Sequence, residues 1–491
     1  MAAQSTVASN VTADLDVEYV NTSGTHTRTT VVDGVTSISG TAPFFVHFDA
    51  TGTRSTETDG DTEDEAWRTI GYRLNYGESI GGNWGLAGAG AVDEDLGPPI
   101  FGRSFTQAGT HTVQLKVKDS AGGEDTISLD VVVSAPSSPT NIPVGDGAWP
   151  TWASGGRYTL DRDSDYTSFG QLSFGGESDI IIYATGTGAD PIIGTVNFET
   201  RGILGTVMTS TRHVRFHNID VNVMGASVSK GFQFCGAHGG RVRGHTGMSV
   251  HQFFWNGETG ETEHNNVTYP RGFFLTDTGV MLANIGGDTS YNYIGECSAI
   301  HFQNVEFEYD SSGSNHSLRG VWHECSIRNC LIWHSTAGTS YWICQGGGAS
   351  ATDPPDTWDT TNYRVGLHGT GPYNLPASKS FMWNCQLGKT GHATPAGPGG
   401  LSPENEVGNV QGTELCGMED TTYFETTTIG TAVNAMDYGG RELFQRNCKR
   451  NLGAGTEGPA ITSDNSGRIP TGWDGAYRNE DTNTRPVPTA F

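Results

Sequence analysis

A short pattern built around asparagine constrains the fold of this chain more than any other feature. An Asn flanked by apolar residues returns five times beyond residue 210, at Asn218, Asn304, Asn329, Asn384 and Asn447. Asn is the non-glycine residue that most readily takes the left-handed backbone conformation needed at a tight corner between strands. A corner residue that returns along the chain indicates stacked structural repeats.

The spacing of these asparagines fits a parallel β-helix, in which one coil has roughly 20 to 30 residues. Asn304 and Asn329 are 25 residues apart, which corresponds to one coil, and the other gaps of 86, 55 and 63 residues fit several coils with inserted loops. Amides on successive coils also hydrogen-bond to one another. We therefore predict a structural asparagine ladder at these corners rather than a catalytic role.

Alternation along the strand after each Asn predicts which side chains face inward. The residue directly after each Asn is expected in the core, namely Ile219, Val305, Cys330, Cys385 and Cys448. Outward positions carry Glu306, Glu308 and Asp310 and, one coil further, Leu331 and Trp333. Glu306 should lie beside Leu331, and Glu308 beside Trp333, about one strand spacing (~4.8 Å) apart.

The outward pair Leu331 and Trp333 has three interpretations. A subunit interface is favoured, because apolar side chains are costly to leave bare in water. Contact with a glycan is the second, because an aromatic face stacks on a sugar ring while neighbouring carboxylates accept hydrogen bonds from its hydroxyls. A patch covered by a loop of the same chain is the third.

The preceding coil offers candidate catalytic carboxylates. Glycoside hydrolysis uses two carboxylates ~5 to 9.5 Å apart, and alternate residues on one strand face are ~7 Å apart. Glu306, Glu308 and Asp310 satisfy that spacing, although an acidic, solvated strand is the favoured interpretation. No cofactor is predicted. Calcium binding is the alternative to a solvated loop at the acidic cluster Asp59, Asp61, Glu63 and Asp64.

The eight cysteines all lie after residue 230, and no two have the CxxC spacing of a zinc or redox site. Three of them, Cys330, Cys385 and Cys448, directly follow a recurring Asn and so occupy equivalent positions on stacked coils. A buried Cys behaves as a small hydrophobe. Free core thiols are therefore favoured over disulfides.

The N-terminal part has a different pattern. Segments such as "FFVHFDATG" and "HTVQLKVKD" within residues 31–135 alternate apolar and polar residues with a period of two, which predicts an antiparallel β-sandwich. Residues 1–30 precede it as an arm or a first strand. The stretches "GTAPFFVHFDATGT" and "FTQAGTHTVQLKVKDSAGGEDTISLDVVV" resemble the PKD domain, an immunoglobulin-like sandwich of surface and adhesion proteins. "LNYGES" stands where that family has Trp-Asp-Phe-Gly-Asp-Gly.

A Pro/Ser linker at residues 136–147 separates the sandwich from a predicted β-helix at 148–452 and an extended tail at 453–491. The segment "SFGQLSFGGESDIIIYATGTGADPIIGT" resembles the entry coils of right-handed parallel β-helix proteins, among them pectate-lyase-like enzymes and phage tailspikes. The predicted fold class is thus all-β, an Ig-like (PKD-like) sandwich followed by a right-handed parallel β-helix. Lyases of this type use a basic residue, but Lys379, Arg319 and Arg328 form no motif typical of them.

Charge bears on the choice of partners. The formal net charge of −26 repels phosphate backbones and anionic bilayers, so we predict neither a nucleic-acid nor a membrane partner.

Gly occurs at 69 of 491 positions, about twice the usual ~7%, which favours short strands joined by tight turns. The N-terminus "MAAQSTVASNVTADLD" has neither the basic nor the apolar region of a secretory signal.

These features together predict a non-enzymatic bacteriophage surface protein, a tail spike, tail fibre or capsid decoration, made in the host cytoplasm and exposed on the virion. Resemblance to tailspikes implies a homotrimer, with other virion proteins and a host surface polysaccharide as partners. A polysaccharide depolymerase acting through the strand Glu306–Asp310 is the first alternative. A secreted bacterial polysaccharide lyase or adhesin is the second.

Overall fold

The structure is a computed structural model that describes residues 11–56, 69–78, 94–174, 177–198, 211–225, 232–243, 271–283, 297–310, 322–334, 341–343, 377–387, 399–401, 413–414, 416–424, 442–446, 449–451 and 476–479. Most of these residues lie in β-strands, with two 3-10 helices at Val144–Asp146 and Thr167–Phe169. Within the described ranges, no helix is long and apolar enough to span a membrane.

The N-terminal part contains eleven described strands. They are β1 (Val11–Thr12), β2 (Asp16–Val20), β3 (His26–Thr30), β4 (Ser37–Thr41), β5 (Phe44–Asp49), β6 (Arg54–Ser55), β7 (Ile70–Asn75), β8 (Glu94–Gly97), β9 (Ile100–Phe105), β10 (Gly109–Asp119) and β11 (Glu124–Ser134).

These strands form a β-sandwich. One sheet has the order β4-β11-β10-β7-β8 and the other the order β3-β2-β5-β9, while β1 pairs with β6. All neighbours are antiparallel except β4 and β11. Strand β10 alternates buried and exposed residues along most of its length, as a strand covered on one face must. The predicted sandwich is present, and residues 11–30 supply three of its strands rather than a separate arm.

The second part contains the remaining described strands. They are β12 (Thr140–Ile142), β13 (Arg157–Asp161), β14 (Asp165–Tyr166), β15 (Leu172–Phe174), β16 (Ser178–Thr185), β17 (Ile192–Phe198), β18 (Thr211–His217), β19 (Asp220–Gly225), β20 (Phe232–His238), β21 (Arg241–Arg243), β22 (Arg271–Thr276), β23 (Gly279–Ala283), β24 (Cys297–Gln303), β25 (Glu306–Asp310), β26 (Trp322–His323), β27 (Ser326–Arg328), β28 (Leu331–His334), β29 (Tyr341–Ile343), β30 (Ala377–Ser378), β31 (Phe381–Trp383), β32 (Gln386–Leu387), β33 (Gly399–Leu401), β34 (Thr413–Glu414), β35 (Cys416–Glu419), β36 (Thr422–Phe424), β37 (Glu442–Arg446), β38 (Lys449–Asn451) and β39 (Ala476–Asn479).

Two long parallel sheets run through this second part, and β29 and β33 form a separate two-stranded parallel sheet. The long sheet has the order β12-β13-β16-β18-β20-β22-β24-β27-β31-β35-β37-β39, with β26, β30 and β34 beside it. The eleven-stranded sheet has the order β14-β17-β19-β21-β23-β25-β28-β32-β36-β38, with β15 beside β17. Since most successive strands alternate between the sheets and pair in parallel with the strand one coil on, the chain winds as a β-helix. The predicted fold class is confirmed.

The interior of the β-helix is a column of apolar side chains. Residues that follow corner asparagines lie in it, including Ile219, Val305, Cys330 and Cys385. The cysteines whose side chains the structure describes are buried free thiols, namely Cys235, Cys325, Cys330 and Cys385. Cys448 lies outside the described residues.

Two predicted boundaries and one predicted number of coils differ from the structure. Strand β12 lies in the predicted linker and pairs with β13, so the first coil begins at Thr140. Strand β39 lies in the predicted tail and pairs with β37 as a further coil. The gap between Asn329 and Asn384 is one coil with a long insertion, because β27 pairs directly with β31.

Candidate functional site

The predicted carboxylate pair lies on β25 of the eleven-stranded sheet. Glu306 and Glu308 are half-buried, while Phe307 between them is fully buried in the interior. Alternate residues of a strand share a face and lie ~7 Å apart, so both carboxylates project to the same outer surface. Asp310 ends the strand, with its backbone paired to Ala283, and its side chain lies outside the described part of the chain.

The coils on either side of this strand have the register expected from the spacing. Glu306 pairs with Leu331, and Glu308 pairs with Trp333. On the preceding coil, Glu306 pairs with Gly279, which contributes no side chain. The rung at Glu306 therefore has a glycine on one side and a leucine on the other.

Leu331 does not stand bare on the surface as expected. Its side chain is 1% exposed, although it is not part of the apolar column inside the helix. The expectation of a solvent-facing Leu331 is wrong, since this burial keeps its apolar surface from water. All three interpretations of the pair Leu331 and Trp333 stay predictions. The side chain of Trp333 lies outside the described residues.

The recurring asparagines occupy one corner of the β-helix. Asn218, Asn304, Asn329 and Asn384 all have φ values between 49° and 55°, in the left-handed region. Asn384 Nδ2 donates to Asn329 Oδ1 at 2.7 Å, and Asn304 Nδ2 donates to Asp277 Oδ1. Asn447 lies outside the described residues.

Asp95 of the sandwich interrupts this ladder. Asn329 Nδ2 donates to Asp95 Oδ1 at 3.4 Å instead of to the next asparagine. The other oxygen of Asp95 accepts hydrogen bonds from Tyr76 at 2.6 Å and from Gln303 at 2.8 Å. A fully buried carboxylate is stable only when it is hydrogen-bonded in this way, so the ladder is also part of the contact between the two domains.

Other residue types fill the corner on the coils where Asn is missing. Gly239, Asp277 and Asp420 have φ values of 68°, 50° and 52°. The pattern of recurring Asn does not predict these three corners, although Gly and Asp are the other residues that tolerate this conformation. A search for Asn, Asp or Gly directly after an alternating strand would have found them.

A second left-handed residue precedes the corner by five positions on each of six coils. This column comprises His213, Phe234, Gly272, Ala299, Glu324 and Lys379. Several of its side chains contact the sandwich: Phe234 packs with Val20 and Phe45, and Lys379 Nζ donates to Thr51 Oγ1 at 3.3 Å. No turn signature marks such residues in a sequence, so this column was not predicted.

Arg328, which was considered as a lyase base, is a structural residue. Its guanidinium donates to the carbonyl oxygens of Leu96, Pro98 and Ile100 at 2.6 to 2.8 Å. It also lies 4.1 Å from the ring centroid of Phe101. These contacts are all with the sandwich, and the side chain is buried, so Arg328 is unavailable to a substrate.

A second buried cation joins the two domains near the start of the β-helix. Arg215 donates to Thr41 and Pro43 carbonyl oxygens of the sandwich and to the Asp179 carboxylate. Despite its burial, Asp179 has a pKa below the ordinary value, because His213 and Arg215 hydrogen-bond to it or attract its charge. Burial, together with the charge of Arg215, lowers the pKa of His213 to about 3, so this imidazole is neutral at pH 7.

A half-buried histidine lies beside an aspartate at a corner of the β-helix. This corner is one coil before the strand that carries Glu306 and Glu308. His238 Nε2 is 3.8 Å from Asp277 Oδ2, and its Nδ1 is 2.8 Å from Oγ1 of Thr276. Burial lowers the pKa of His238 well below its ordinary value. Asp277 is one coil before Asn304 and His238 is two coils before it. The pair was not predicted, because its members are 39 residues apart in the sequence.

The predicted calcium loop at Asp59, Asp61, Glu63 and Asp64 lies outside the described residues. Calcium there stays a prediction.

Two solved structures are similar to this chain at low TM-scores. Dex49A from Penicillium minioluteum is 11% identical with a TM-score of 0.29, and the match covers 96% of this chain and 95% of that one. A family 28 exopolygalacturonase from Yersinia enterocolitica is 9% identical with a TM-score of 0.28, covering 84% of this chain and 90% of that one. No family model and no curated protein matches the chain. The fold therefore rests on the strand topology, and the PKD resemblance stays a prediction.

Proposed function

We propose that this chain is a polysaccharide depolymerase, a glycoside hydrolase that acts through Glu306 and Glu308. The observation that carries the proposal is the pair of half-buried carboxylates on one outer strand face. Their spacing of ~7 Å lies within the range for two hydrolytic carboxylates and nearer to that of inverting enzymes, which leave room for a water. This arrangement supports hydrolysis with inversion.

The basic side chains argue for a hydrolase over a lyase. Abstraction of a proton next to a uronate needs an available base. Of the basic candidates whose side chains the structure describes, Arg328 is held by three carbonyl oxygens and Lys379 donates to Thr51, whereas Arg319 lies outside the described residues. The strongly acidic chain also repels an acidic polysaccharide. A neutral glycan is therefore the proposed substrate class.

The test compares Glu306→Gln and Glu308→Gln with the unchanged chain on a panel of neutral polysaccharides. We expect each substitution to reduce kcat by ~10² to 10⁴, since each removes a group that transfers a proton or activates water. Reducing-end release measures activity, and proton NMR of the first product reports inversion. Asp220→Asn, another half-buried carboxylate on the same sheet, is the matched control and should leave activity unchanged. Cleavage that survives Glu306→Gln and Glu308→Gln would contradict the assignment.

A non-enzymatic role on a virion surface is the second candidate. The buried arginines that hold the sandwich to the β-helix favour this role, because a protein that attaches a virion to its host under mechanical force needs a rigid domain junction. On this proposal the chain is a homotrimer that contacts other virion proteins and binds a host surface polysaccharide without cutting it. Binding of a glycan by the unchanged chain, with no cleavage of any member of the panel, would favour this candidate.

A further inference from the structure

Three potential metal ligands meet where the sandwich contacts the β-helix. Glu18 lies on β2, His47 on β5, and Glu324 at a left-handed position between β26 and β27. One ligand atom from each lies within 4.8 Å of the other two. Glu18 is 2% exposed and His47 is fully buried, whereas the side chain of Glu324 is 19% exposed.

The surroundings of this cluster carry an excess of negative charge. Arg28 is shared among three carboxylates: it lies 2.8 Å from Asp16, 3.1 Å from Glu18 and 3.5 Å from Asp49. His26 Nε2 is 3.0 Å from the second oxygen of Glu18. Burial and the charges of Asp16 and Asp49 raise the pKa of Asp14, as expected in a negative potential. A cation bound at the cluster would lower the cost of placing these carboxylates together.

The orientation of His47 suits a metal ligand. Its Nδ1 is 2.9 Å from Nε2 of His301, and its Nε2 is 3.9 Å from Oε2 of Glu324. When Nδ1 donates to His301, Nε2 carries the lone pair and lies near enough to the Glu324 carboxylate for both to bind one metal ion. Imidazole ligands of metals commonly have such a hydrogen bond at the other nitrogen, which fixes the tautomer and the ring plane. Gly102 leaves room for His301 beside His47, since a Cβ there would lie 2.1 Å from the Cγ of His301.

We propose that Glu18, His47 and Glu324 form a binding site for a divalent transition metal of the zinc type, which links the sandwich to the β-helix. One imidazole nitrogen and two carboxylate oxygens are donors that zinc accepts, whereas calcium takes six to eight oxygens. Tetrahedral ligands at ~2.1 Å lie ~3.4 Å from one another, so ligand atoms up to 4.8 Å apart need to approach by up to about 1.4 Å. The exposed side of Glu324 leaves the fourth position to water.

The experiment is a calorimetric titration of the full chain with Zn²⁺, after treatment with EDTA and dialysis. We expect one Zn²⁺ to bind and the midpoint of thermal unfolding to rise with its concentration, because the metal binds only the folded state. Glu324→Gln should weaken binding by about tenfold or more, an effect at least as large as loss of a second-shell partner. Since Glu324 is the most exposed of the three, this variant should fold, which circular dichroism checks.

Two further variants distinguish the site from adventitious binding. Glu18→Gln should also weaken binding, because it removes a ligand that the sandwich supplies, whereas Glu324 is supplied by the β-helix. Glu306→Gln, a half-buried glutamate outside the cluster, should bind Zn²⁺ like the unchanged chain. Absence of Zn²⁺ binding in the unchanged chain would overturn the proposal, and so would equal affinity in Glu324→Gln and Glu306→Gln.

Discussion

At the scale of single residues, two glycines allow the two domains to approach closely, because they have no side chain at the contact. A Cβ on Gly97 would lie 2.6 Å from Cδ1 of Trp383, and one on Gly102 would lie 2.1 Å from Cγ of His301. Both glycines belong to sandwich strands that pack on the long sheet. Added side-chain volume at either position would therefore force the two domains apart.

Gly102→Ala should destabilise the chain by about 1 to 3 kcal/mol, the usual cost of forcing extra volume into a packed interior. His301 and Phe274 beside it are buried, so there is no free space for the ring to enter. Urea unfolding followed by tryptophan fluorescence measures the change. Gly145→Ala is the matched control, because nothing lies within 4 Å of a Cβ at that position. Equal stability of the two variants would show that Gly102 does not limit the approach.

At the scale of a strand and its corner, six of the described coils have two left-handed residues five positions apart. Asn at the corner has two separable contributions. It adopts the left-handed conformation at low cost, and its amide bonds to the neighbouring coil. Apart from Gly272, the other left-handed column is filled by His, Phe, Ala, Glu and Lys, so at those positions the surrounding contacts must impose the conformation.

Substitutions at Asn384 separate those contributions. Asn384→Gly keeps the left-handed conformation and removes the hydrogen bond to Asn329, at about 0.5 to 1.5 kcal/mol. Asn384→Ala adds the cost of a β-carbon in this conformation, about 1 to 2 kcal/mol more. Denaturant unfolding of both variants gives the comparison. If Asn384→Ala were as stable as Asn384→Gly, the backbone at this corner would not be restricted as the φ of 49° indicates.

At the scale of the whole molecule, buried polar groups hold the sandwich against the β-helix. Arg215 and Arg328 donate to carbonyl oxygens of the sandwich, and His213 lies 3.4 Å from Asp179 and packs near Phe44 and Phe45. Such a junction is sensitive to protonation, because a histidine held neutral in the folded chain must gain a charge at low pH.

Stability should fall as the pH drops from about 6.5 toward 3. The pKa of His213 is lowered from 6.5 to about 3 on folding, so the unfolded chain binds more protons within this window. The contribution is complete above pH 6.5 and is lost progressively as the pH falls to the folded pKa. The lowered pKa of Asp179 acts in the same direction, and its contribution is lost only below 3.8.

His213→Asn removes this titration while keeping a residue that tolerates the left-handed conformation. Between pH 6 and 4, the free energy of unfolding of the variant should change less steeply, by up to about 1.4 kcal/mol per pH unit. Urea unfolding at four pH values provides the profile. Parallel profiles for the two proteins would mean that His213 does not titrate with folding.

The sequence by itself determined the local features of this protein. Period-two alternation predicted the sandwich, because a strand covered on one face must alternate. The returning Asn predicted the β-helix, the corner and the pairing of Glu306 with Leu331, because only a few residues accept a left-handed corner and strand register follows from spacing.

Only the tertiary structure decided which surfaces are covered and which distant side chains meet. Nothing near Leu331 in the sequence shows that its outer face is buried, and nothing near Asp95 shows that it joins the Asn ladder 234 residues away. Burial, pKa and ligand geometry at Glu18, His47 and Glu324 likewise arise from the packing of two domains. These properties depend on distances through space, whereas the periodic signals of a sequence report only the conformation and exposure of neighbours along the chain.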